Sequence, residues 1–180
     1  MNKAIFIDRD GVINQSKLID GKPHAPLNFD NFIILKNVHE ALIRIQKKGY
    51  KTIVITNQPN LSPKRSTLPI SELNKMHKYL KDKFCIDEIY VCPHLESDNC
   101  KCRKPKIENI IKAKKKFNLD LGNCFFIGDR YQDVECSQNA NLRGCFFIDY
   151  GYNESKEKLL NGKYKNYVKV KSLYDICNFI

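Results

Sequence analysis

Apolar positions in this chain follow two alternating patterns. Short runs, apolar throughout but for Thr52 and Lys169, occur at 4–7, 52–55, 89–91, 124–127, 145–148 and 167–170. Each is too brief for a helix and rich in β-branched, aromatic or other apolar residues, which predicts buried strands. Between them the apolar residues recur at helical spacing. Val38, Ala41, Leu42 and Ile45 mark a helix over 38–48, and Leu73, Met76 and Leu80 mark one over 71–83. Further helices are expected over 106–116 and 132–141, with a short closing helix from near Ser172. Gly49 stands where a C-terminal cap belongs, and Ser71 where an N-cap does. Strands alternating with helices predict an α/β fold: a three-layer parallel sheet with right-handed crossovers, in one domain over 1–180. Ligands bind such sheets at the carboxyl ends of the strands.

The polar residues with chemical potential sit at those ends. Asp8 and Asp10 follow the first strand, and Gly11 lets the chain turn. Alternation along an extended chain would point the two carboxylates the same way, and two like charges that close call for a cation or a proton between them. Thr56, Asn57 and Gln58 end the second strand, and Gly128, Asp129 and Arg130 the fourth. Asp8 can attack phosphorus, Asp10 can protonate a leaving oxygen and then activate water, and Asp129 completes an oxygen cage for Mg²⁺. Thr56, Asn57 and Lys104 are the candidates to hold phosphoryl oxygens. The connection over 15–36 hangs above the first strand and carries His24, a candidate substrate contact. Cys92, His94, Cys100 and Cys102, spaced C-x-H-x₅-C-x-C, offer three thiolates and an imidazole to one structural Zn²⁺. His39 and His77 have no such company and are expected at the surface.

Composition narrows the partners. Hydrophobic residues make up 42% of the chain and charged residues 28%, with no apolar run near the ~18–20 residues of a membrane span. The first residues enter the strand without a leader pattern, so a cytoplasmic monomer is expected. Net charge is +11, from 31 Lys+Arg against 20 Asp+Glu. Part of that excess, Lys112, Lys114, Lys115 and Lys116, is expected on a solvated helix face. Nucleic-acid readers interleave aromatics with their basic residues, and here only Phe117 adjoins the run, so a small phosphorylated substrate is the expected partner. Cys85, Cys124, Cys136, Cys145 and Cys177 are scattered, like small core residues.

Asp8-x-Asp10-Gly11, Thr56-Asn57, Lys104-Pro105 and Gly128-Asp129-x₃-Asp133 together resemble the haloacid dehalogenase superfamily of phosphatases. Asp-Arg-Asp-Gly, Thr-Asn-Gln and the cysteine loop running into Cys-Arg-Lys-Pro are similar to one branch. It comprises the zinc-containing D-glycero-D-manno-heptose 1,7-bisphosphate phosphatases and the histidinol-phosphate phosphatases. The resemblance spans about 4–150 and implies a Rossmann-like sheet without a large cap domain. It implies Asp8 as nucleophile, Asp10 as acid/base, Mg²⁺ on Asp8, Asp10 and Asp129, and Zn²⁺ on Cys92, His94, Cys100 and Cys102. Thr56 and Lys104 are implied to stabilise the phosphoryl group, and Arg103 and Arg130 to contact substrate. Heptose enzymes usually continue Thr-Asn-Gln with Ser-Gly-Ile-Ala-Arg-Gly and carry Lys after Gly-Asp. This chain has 59–65 as Pro-Asn-Leu-Ser-Pro-Lys-Arg, and Arg130 in the second place. Heptose bisphosphate is the expected substrate; histidinol phosphate, or a polynucleotide 3′ end, is the alternative.

Overall fold

A computed structural model describes residues 1–160 and 163–180. Six strands form one parallel sheet: β1 (Lys3–Ile7), β4 (Tyr50–Asn57), β5 (Glu88–Cys92), β6 (Phe125–Gly128), β7 (Gly144–Ile148) and β8 (Tyr167–Val170). Their order across the sheet is β5-β4-β1-β6-β7-β8. Side chains alternate between its faces. Ile5, Ile7, Val54 and Ile127 face α1 (Val38–Lys47) and α2 (Ile70–Lys83), while Ala4, Phe6, Ile53 and Phe126 face α3 (Glu108–Phe117) and α4 (Tyr131–Asn139). Strands covered on both faces read as continuous apolar runs, which is why the sequence displays them so plainly.

Central β1 pairs with β4 on one side and β6 on the other. The chain therefore leaves β1 in one direction and later returns on the opposite side. That reversal opens a crevice at the carboxyl ends of β1, β4 and β6, where Asp8, Thr56 and Asp129 lie.

Several local expectations need correction. Pro69 is held extended and α2 starts at Ile70, so Ser71 lies inside the first turn and no side chain caps the helix. The C-terminal segment Tyr174–Asn178 is a 3-10 turn. Two elements were not predicted: the hairpin of β2 (Lys17–Ile19) and β3 (Lys22–His24), and α5 (Asn153–Leu160). Cys85 is exposed, with φ 53°, because the chain reverses there; the other four scattered cysteines are buried. Lys112, Lys114, Lys115 and Lys116 are exposed on α3, as expected. Among the described residues no helix is long and apolar enough to cross a membrane.

Candidate active site

Asp8 leaves β1 with its N–H bonded to the Ile127 carbonyl at 2.9 Å, which ties the site to β6. Two glycines make room for the carboxylates. A Cβ on Gly11 (φ +88°) would lie 2.1 Å from Asp129 Oδ2, and one on Gly128 would lie 2.2 Å from Asp133. Asp8 Oδ1 accepts the Arg9 N–H at 2.8 Å and pairs with Lys104 Nζ at 2.8 Å. Lys104, buried to 4% exposure, reaches Asp133 Oδ1 at 2.6 Å as well. Asp133 Oδ2 accepts the Arg130 N–H at 3.1 Å, so one carboxylate both caps the start of α4 and orients the lysine.

The charges do not balance. Asp8, Asp129 and Asp133 each offer an oxygen within 4.8 Å of the others. One lysine bridges two of them, while both oxygens of Asp129 are buried without a hydrogen-bond partner among the described residues. Burial, then repulsion from Asp8 and Asp133, holds the Asp129 carboxyl well above the ordinary carboxylate range. Burial likewise pushes Asp8 up to about 7, against the pull of Lys104. On Lys104 burial opposes the charge, but Asp133 and Asp8 outweigh it and hold the ammonium above the usual lysine range. Orphaned carboxylate oxygens in a sterically reserved pocket fit a hard cation with oxygen ligands.

The Asp10 carboxylate is turned elsewhere. The chain bends after Asp8, so strand alternation does not extend to Asp10. Its oxygens accept from Arg9 Nη2 at 2.9 and 3.0 Å, Asn14 Nδ2 at 2.9 Å and Gln58 Nε2 at 2.6 Å. Asp10 is thus outside the three-carboxylate group. Thr56 is buried at the end of β4, its hydroxyl accepting from Gln58 at 2.8 Å. Both ends of the Asn57 amide are taken by the Lys104 backbone: Oδ1 accepts its N–H at 3.1 Å and Nδ2 donates to its carbonyl at 3.3 Å.

The remaining candidates divide. Arg103 donates to the His94 carbonyl and lines an open cleft of about 230 Å³ with Pro59, Arg65 and Glu96. Arg130 is half-buried and paired with Glu154 of α5 at 2.5 Å. His24 is exposed at the end of β3, with no hydrogen bond to the carboxylates among the described residues. His77 is half-buried and not free at the surface: its ring meets Arg9 at 3.1 Å, and burial followed by the Arg9 charge holds it down at about 3. His39 is exposed. Asp133 had no assigned role in the sequence, although its place three residues into the helix after Gly-Asp-Arg marks a capping carboxylate. Cys92, His94, Cys100 and Cys102 converge, with Sγ···Sγ distances of 3.6 Å and Sγ···Nδ1 distances of 3.7 and 3.3 Å. Such a cluster can hold a metal ion.

The model of the haloacid dehalogenase-like hydrolases matches residues 24–141. The chain belongs to that family. Within it the chain is a phosphatase by its similarity to curated relatives. It is 34% identical over 182 residues to the D-glycero-alpha-D-manno-heptose-1,7-bisphosphate 7-phosphatase of Campylobacter jejuni, covering 98% of this chain and 95% of that one. It is 30% identical over 177 residues to the histidine biosynthesis bifunctional protein HisB of Buchnera aphidicola, covering 93% of this chain and 48% of that protein. The fold matches the crystal structure of D,D-heptose 1.7-bisphosphate phosphatase from B. bronchiseptica, complexed with magnesium and phosphate. There the TM-score is 0.82 at 23% identity, over 99% and 97% of the two chains.

Proposed function

We propose that this phosphatase removes the 7-phosphate of D-glycero-D-manno-heptose 1,7-bisphosphate and leaves the 1-phosphate. The observation that carries this reading is full-length similarity to a stand-alone heptose phosphatase, against about half the length of the bifunctional protein. Asp8 Oδ1 is held by Lys104 and the Arg9 N–H, which leaves Oδ2 to attack phosphorus. As the Asp8–phosphorus bond forms, the ester P–O bond breaks and the sugar oxygen takes a proton from Asp10. Water then attacks the aspartyl phosphate and returns a proton to Asp10, freeing phosphate and Asp8. Lys104 neutralises the transferring group, and Thr56 holds one of its oxygens. Asp8, Asp129 and the Asp10 carbonyl would hold Mg²⁺, which supplies Lewis-acid neutralisation of phosphate charge when bound.

Cys92, His94, Cys100 and Cys102 are read as a closed structural Zn²⁺ site. Tetrahedral zinc, with bonds of ~2.3 Å to sulfur and ~2.0–2.1 Å to nitrogen, spaces its ligands at about 3.8 Å (S···S) and 3.5 Å (S···N). The observed spacings agree to within a few tenths of an ångström. Arg103, Arg130 and His24 are the proposed substrate contacts. Arg130, where heptose enzymes usually have Lys, favours histidinol phosphate as the second reading. A phosphate-release screen over heptose bisphosphate, histidinol phosphate and 3′-phosphorylated DNA tests the assignment. Release fastest from heptose bisphosphate supports it, and preference for either other substrate replaces it.

A further inference from the structure

Arg9 heads the largest side chains with essentially no exposure among the described residues. A guanidinium that deep is tolerated only when its donors are satisfied. Nε and Nη2 go to Asp10, at 3.2 Å and at 2.9 and 3.0 Å. Nη1 goes to His77 Nε2 at 3.1 Å and lies 3.9 Å from Met76 Sδ, with the Phe32 ring 5.5 Å from the guanidinium carbon. Arginine only donates, so His77 Nε2 is the acceptor, the ring is neutral and its proton is on Nδ1. His77 and Met76 belong to α2, whereas Asp10 follows β1. The fork that aims the Asp10 carboxylate is therefore clamped from a separate helix.

The geometry points to His77, acting through Arg9, as a positioning residue for proton delivery by Asp10. This rests on the reading of Asp10 as the acid that protonates the departing sugar oxygen. A misaimed acid penalises an alkoxide leaving group, which must take up a proton as its P–O bond breaks. It penalises an aryl phosphate little, because a nitrophenolate departs unprotonated. kcat/KM reports the steps through transfer to Asp8 and excludes the later attack of water.

The test compares kcat/KM for heptose bisphosphate and p-nitrophenyl phosphate in the metal-loaded protein. His77→Leu should lose about 10–100-fold on the sugar phosphate and under about threefold on the aryl phosphate, a fraction of the ~10²–10⁴ that a positioned acid contributes. His77→Gln, which restores an acceptor for Arg9, should stay within about threefold of wild type on both. Equal losses on both substrates, or none on either, overturn the inference, as does a Gln variant as selective as the Leu one. If the Leu variant does not fold, His77→Ala, which also removes the acceptor from Arg9, takes its place in the comparison with the same expected selectivity. Asp10→Asn separates this from the reading beneath it: if that variant spares the sugar phosphate, Asp10 is not the acid. Nitrogen NMR of the wild-type imidazole gives a check independent of turnover. An unprotonated Nε2 and a protonated Nδ1 are expected at neutral pH, and a proton on Nε2 refutes the clamp.

Discussion

Asp129→Asn should make the protein more stable without magnesium and less stable with it. Lys104 contacts Asp8 and Asp133, and Asp129 has no contacting cation to offset their negative charge. At 4.8 Å, one unscreened pair at an effective dielectric of ~20 repels by about 3.5 kcal/mol. At pH 7 the penalty has a ceiling, because the group can bind a proton: from the ordinary 3.8 to pH 7 that costs about 4 kcal/mol. An amide of the same shape removes most of this, so the variant should gain about 1–3 kcal/mol, or roughly 2–12 °C in Tm for a chain of this size. Magnesium at ~1,000 times its Kd stabilises the wild type by about 4.1 kcal/mol, more than the variant's gain, and should do far less for the variant. Thermal unfolding of both proteins, prepared without chelator, in magnesium-free and magnesium-saturated buffer reads the two signs. If Asp129→Asn is destabilised in both buffers by the same amount, the carboxylate is not a strained cation ligand and the charge argument fails.

His77 makes stability pH-dependent in a defined direction. Its folded pKa of about 3 lies below the ordinary 6.5, so the unfolded chain binds the extra proton, and stability present above pH 6.5 is lost as pH falls toward 3. The wild type should lose about 2 kcal/mol relative to His77→Gln between pH 7 and pH 5, at ~1.4 kcal/mol per unit below 6.5. A denaturation pair with a pH-independent difference contradicts this. Asn57→Ala removes both bonds that hold the Lys104 backbone, and a shift of ~1 Å in that ammonium should lower kcat about 100-fold. A kcat within twofold of wild type would show that Lys104 is held without Asn57. Cys102→Ser should abolish the proposed zinc binding and lower kcat less than Asn57→Ala does, since Asn57 still grips the loop. Metal analysis and kinetics on the same preparation check both, and full zinc retention would show that Cys102 is not a ligand.

The sheet could be read from the chain because its inner strands are buried on both faces and announce themselves as apolar runs, while the edge strands β5 and β8 are only partly buried and carry weaker ones. The hairpin of β2 and β3 could not, since all but one of its strand residues are exposed and no apolar alternation marks it. α5 buries only Ser155 and Leu159 among its residues, too little to leave a helical stripe. At the site, residue types and their placement at strand ends disclosed Asp8, Asp129, Thr56 and the Cys/His loop. What remained hidden depends on pairings distant in sequence. Asp10 is aimed by Gln58 and by the Arg9 clamp from α2, the Asn57 amide is captured by the Lys104 backbone, and Lys104 is shared with Asp133. An isolated histidine such as His77 carries no local mark that a buried arginine waits across the fold.

The measurement that bears most directly on the account is acid-quenched mass spectrometry of the magnesium-loaded enzyme during turnover of heptose bisphosphate. The expected result is a phosphoryl group on Asp8 that appears before free phosphate. In Asp8→Asn the adduct should be absent and kcat lower by on the order of 10⁶, the loss seen when a hydrolase nucleophile is removed. A phosphoryl group on another residue, or Asp8→Asn turning over at a tenth of the wild-type rate, would contradict the assignment of Asp8 as the nucleophile.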